Sequence, residues 1–226
     1  TNALSVTNLD RVEISDPYLE VLTDSFDFST QHPLNLPAYT GLSGGSLTST
    51  APIALDAGKS LIGAGIVDGP FGGVTGSLIR ATGNLEIGTY QSSDGFRTDG
   101  RLETGVHAVT INDSNRATLG ELTTLGSESQ TGTLLAKHGL TVPFTGNLEG
   151  YGTVYTTNGE TTSILLNNGS IAGNSSEEPI TLTATVKGVG TMTNVVLDGT
   201  FTPGFSPTLS VNGDLVYSDR NTVEIE

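Results

Sequence analysis

Apolar and polar residues alternate along much of this chain in short runs with a period of two. Ile180, Leu182, Ala184 and Val186 alternate with Thr181, Thr183 and Thr185, as expected of strands with one face buried and the other wet. Similar runs occur at HAVTIN, GLTVPF, NVVLDG and DLVY, each bounded by Gly, Asn, Asp or Pro. The pattern predicts many short strands joined by tight turns. No apolar run approaches the ~18 residues that a membrane-crossing helix needs.

A longer period overlies the short one. The triplet glycine, polar, aliphatic occurs as Gly100-Arg101-Leu102, Gly120-Glu121-Leu122, Gly146-Asn147-Leu148, Gly169-Ser170-Ile171, Gly190-Thr191-Met192 and Gly213-Asp214-Leu215. Successive glycines are about 20, 26, 23, 21 and 23 residues apart, the range of one solenoid turn. The triplet also falls off this ladder at Gly45-Ser46-Leu47, Gly76-Ser77-Leu78 and Gly132-Thr133-Leu134. A second phrase, LIGAGIV, LEGYGTV and VKGVGTM, repeats Gly-x-Gly before a strand, which predicts glycines at turns between rungs, several with positive φ. The fold expected is a parallel β-helix. Its rival is an antiparallel β-sandwich, which the pairs Asn158-Gly159, Asn168-Gly169 and Asn212-Gly213 would serve as hairpin turns.

Residues 1–40 read differently. The first glycine is Gly41 and charges are denser before it. Pro17 precedes Leu19, Leu22 and Phe26 at helical spacing, although RVEIS alternates like a strand. This segment is expected to be an N-terminal cap or adaptor, with a short helix as one option, followed by a solenoid over 41–226. At ~22 residues per turn and ~4.8 Å per rung, that body makes about 8 turns and is about 40 Å long.

Composition supports a thin interior: 30 glycines, no tryptophan, one methionine and 35% hydrophobic residues. The formal charge is -15, which repels nucleic-acid phosphates and anionic membrane surfaces. No nucleic-acid partner and no direct membrane insertion are expected. With no cysteine, disulfides and thiolate chemistry are excluded. The chain begins at Thr1 without a charged, then apolar leader, so the expectation is a mature fragment or excised domain, compatible with export.

Few motifs carry chemistry. GLSGG (41–45) has the spacing of a nucleophile elbow, but no helix pattern follows it, and it reads as a flexible loop. GAGIVDG resembles a dinucleotide loop with its third glycine one position late, and reads as a turn between coils. His32, His107 and His138 lack metal-ligand spacing. No cofactor is expected, with weak Ca²⁺ binding left open. The densest polar stretch, SSDGFRTDGRLETGVH, carries Asp94, Arg97, Asp99, Arg101 and Glu103. Acids and an arginine of this kind could contact a polysaccharide or cation, or act as general acid and base, although one exposed loop would place them together without any function.

The closing stretch TPGFSPTLSVNGDLVYSDRNTVEIE resembles the P-G-x-S-P-x-x-L-x-V-x-G unit of autotransporter-like passengers and PEP-CTERM-type bacterial surface proteins. The matching positions are Pro203, Gly204, Ser206, Pro207, Leu209, Val211, Gly213, Leu215, Val223, Ile225 and Glu226. Phe205 and Thr208 depart from the unit. The resemblance implies a right-handed parallel β-helix displayed outside the cell and carries no catalytic residues. The function expected is a non-enzymatic extracellular structural or adhesive solenoid with a carbohydrate or host-surface ligand. The alternative is a polysaccharide-active lyase or glycoside hydrolase. Alternating strands at Arg11, Val12, Glu13 and Ile14 and at Thr222, Val223, Glu224 and Ile225 are expected to pair end to end into a fibre, since neither edge is blunted by proline or lysine.

Overall fold

The computed structural model describes residues 2–6, 18–22, 26–31, 33–88, 95–157, 159, 161–202, 210–219 and 222–223. The chain is an all-β parallel solenoid. Among the described residues every pairing between named strands is parallel, and none is helical. The antiparallel sandwich is therefore wrong. Asn168-Gly169 lies at a corner between strands, and Asn212-Gly213 lies inside the strand Ser210–Tyr217. Antiparallel contact is limited to isolated bridges, Ser127 with Gln130 and Thr157 with Thr162. The helix considered after Pro17 is also corrected: Tyr18–Leu22 is a strand in register with Tyr39 to Ser43. Three-residue spacing of Leu19 and Leu22 is weak against a ready-made parallel edge.

Each turn has three faces. In one, Arg101–Gly105 forms face one, Ala108–Ile111 face two and Ala117–Leu119 face three; Leu122–Leu125 then starts the next turn, paired with Arg101–Gly105. Faces one and two form a 16-stranded sheet because several turns pass from one to the other in a single bent strand, as in Ser60–Asp68 and Leu78–Ile87. Face three is a separate ten-stranded sheet. Eight turns run from Tyr39 to Phe201, and the strands of 2–35 and 210–223 continue the same sheets at either end.

The core is a set of inward columns. On face one Leu61, Ile79, Leu102, Thr123, Leu148, Ile171 and Met192 stack in register; on face two Leu85, Val109, Leu134, Val154, Leu182 and Leu197 do so. All are buried. On face three the Phe71 and Phe96 rings stack at 5.8 Å. No single layer has enough apolar area to fold alone, and stacking joins the layers into one interior. The alternation from Ile180 to Val186 holds, although the chain passes from face two (Ile180–Thr183) to face three (Thr185–Gly188) around Ala184.

The triplet ladder marks the corner from face three to face one. A Cβ on Gly169 would collide with the carbonyl of Gly146, and one on Gly190 with that of Gly169. Close approach of neighbouring turns, rather than positive φ, requires glycine there. Two of the six triplets are out of register. Leu122 pairs with the outward Arg101 and Asn147, so the buried place goes to Thr123. Leu215 pairs with Val195 on face two, and Val211 takes the Met192 column. Of the Gly-x-Gly phrases, VKGVGTM lies where expected: Gly188, with positive φ, and Gly190 stand between face three of one turn and face one of the next. The other two need correction. Gly63, Gly65, Gly150 and Gly152 have positive φ but bend the chain between faces one and two, within a turn. GLSGG likewise lies in the strand Tyr39–Ser49, not in a loop.

Candidate functional site

The outward positions of face one also form columns. Arg80, Glu103, Thr124 and Glu149 occupy the same place on four successive turns. Arg101 stands two positions before Glu103 on the same strand. Arg80 Nε donates to Glu103 Oε2 at 2.6 Å, and Arg101 Nη2 lies 3.1 Å from Glu103 Oε1. Both carboxylate oxygens are thus occupied, one by an arginine of the turn before. The hydrogen bond and charge of Glu103 hold Arg80 above its ordinary pKa, slightly opposed by burial. These residues line a groove of about 420 Å³ with Leu122 and Ser127. Ser127 belongs to a small excursion at the corner from face one to face two, closed by its bridge to Gln130.

The polar stretch expected as one loop is divided between faces. Arg97 and Asp99 form a two-pronged pair at the end of face three, Nε to Oδ2 at 3.0 Å and Nη2 to Oδ1 at 2.9 Å. Arg101 turns the corner and joins the face-one groove instead. Asp94 lies outside the described residues. So do Arg11, Val12, Glu13, Ile14, Glu224 and Ile225, while Thr222 and Val223 form an outer strand of face three, paired with Thr200 and Phe201. Sequence reasoning missed Arg80 and Glu149 as companions of Arg101. The signal in the sequence is spacing, Arg80 standing 23 residues before Glu103 and Glu149 standing 46 after it, but glycine intervals of 20 to 26 do not single that offset out.

A second polar feature lies at the corner from face two to face three. Asp113 is buried; its Oδ1 accepts the Asn115 N–H at 3.0 Å, while Oδ2 has no partner. Burial pushes the Asp113 carboxyl above its ordinary value, and the N–H groups of Asn115 and Ser114 pull the other way. His138 Nδ1 meets the Asp113 carbonyl, and His107 lies at a different corner. Among the described residues no three His, Asp or Glu side chains gather as metal ligands would.

No family model matches the chain, and no match was found among the curated proteins or the solved structures. What is established is the class, a three-faced parallel β-solenoid.

Proposed function

We propose that this chain is a non-enzymatic, extracellular structural or adhesive solenoid of a bacterial surface protein. The observation that supports this reading most is the rung-by-rung repetition of the outer surface. Thr133, Thr153 and Thr181 stand on three successive turns of face two, and Thr118 and Thr141 on two turns of face three. A rod that repeats its polar surface over one continuous core is stiff, soluble and able to present the same chemistry many times. The closing motif adds the surface-protein context, and the outermost strands at each end are the candidates for head-to-tail pairing. The test is location: antibody raised against this chain should label intact cells of the source organism, and shaving with protease should remove the signal. A signal that survives shaving and appears only after lysis would refute it.

The polysaccharide-active alternative draws on Asp94, Asp99 and Arg97 or Arg101; of these, Asp99 pairs with Arg97 at the end of face three, and Arg101 joins Glu103 in the face-one groove. On the scaffold reading, Glu103 is a structural partner of Arg80 and Arg101 on the outer surface of face one. Incubation with a polysaccharide panel should release no new reducing ends.

A further inference from the structure

We propose that the face-one groove binds a neutral, hydroxyl-rich glycan laid along the rod axis. This deepens the adhesive reading above by naming the ligand class and the residues. A sugar ring presents hydroxyls that both donate and accept, so its site needs both kinds of partner close together. The groove supplies them. Arg80 and Arg101 each give a single N–H direction to Glu103 and retain others, since a guanidinium carries five. Glu149, exposed in the same groove, only accepts, and the Thr124 and Ser127 hydroxyls do either. Leu122 adds apolar surface for the ring's C–H groups. The volume, about 420 Å³, lies within the range of small-molecule sites. From Arg80 to Glu149 the column crosses three rung spacings of ~4.8 Å, about 14 Å, longer than one ring.

Charge selects the neutral class. The two arginines face two glutamates in the groove, and the whole chain carries -15. A carboxylated or sulfated glycan therefore finds no excess of positive charge locally and is repelled at longer range.

The experiment applies the folded full chain to an array of neutral and acidic glycans, then titrates the best neutral oligosaccharide by calorimetry and amide NMR shifts. Binding on the order of 1 mM or tighter is expected, with shifts centred on Arg101 and Thr124. R101A and E149Q should each weaken it about tenfold, and R97A, on another face, should not change it; circular dichroism checks that each variant folds. A blank array, binding of acidic glycans alone, or equal loss in R97A and R101A would overturn the proposal while leaving the scaffold reading standing. Cleavage of a bound glycan would do the reverse.

Discussion

Thr40 occupies an inward position on face one, fully buried, with a hydroxyl that has no hydrogen-bond partner. Leaving such a group unpaired costs about 1 to 3 kcal/mol, so Thr40→Val should raise the urea midpoint by an amount equivalent to about 1 kcal/mol; a fall would show that the hydroxyl has a partner. Asp113 makes a pH-dependent case. Its folded-state pKa is raised, chiefly by burial, so the folded protein holds this proton more tightly than the unfolded chain does. Its stabilising contribution is complete below the ordinary aspartate pKa of about 3.9 and is lost as pH rises through the raised value. Asp113→Asn can keep the acceptor for Asn115 but cannot ionise. The variant should therefore be more stable than the parent at neutral pH, with the advantage shrinking as pH falls towards 4, a change that paired denaturation curves at several pH values would register. A constant difference across that range would contradict the burial argument.

At the scale of strands and corners, turn-to-turn contact governs tolerance to change. Gly169 and Gly190 sit where neighbouring corners touch, and Gly169→Val should cost on the order of 2 kcal/mol or more, because backbone on both sides must move. Gly58 has nothing near its missing Cβ, but its φ of +75 strains any side chain, so the milder Gly72→Val, free of both constraints, is the control and should change little. Thermal melts of the two variants check this. These corners also show how far the sequence could be read. Alternation from Ile180 to Val186 was plain and correct because every inward place there is filled by an apolar residue. The ladder slipped at Leu122 because the two corners are equally long, Thr98 to Arg101 and Leu119 to Leu122, but Glu121 rather than Gly120 stands opposite Gly100, and a triplet cannot reveal that its glycine has moved one place. Glycine in Gly-x-Gly signalled a bend but not which corner. The groove was only half legible: Arg101 and Glu103 are neighbours in the chain, whereas Arg80 and Glu149 join them only through register. With glycines 20 to 26 residues apart, sequence alone does not set that register.

For the whole molecule, head-to-tail pairing of the outermost described strands would extend the sheets, and repulsion between acidic rods opposes their meeting. Screening reaches ~8 Å at physiological salt, so head-to-tail association should grow with ionic strength and weaken when 222–226 are removed; light scattering across a salt series reads both. Association that is indifferent to the truncation would argue for lateral contact instead. The stacking of turns in register underlies everything proposed for the outer surface, the groove included, and it can be tested directly because the chain has no cysteine of its own. Thr153 and Thr181 are register partners on adjacent turns of face two, whereas Thr118 lies on face three. Pyrene attached at T153C and T181C should give strong excimer fluorescence at high dilution, from rings one rung spacing (~4.8 Å) apart. Pyrene at T153C and T118C should show only monomer emission. Equal emission from the two pairs, or excimer only from the second, would contradict the register and the solenoid account with it.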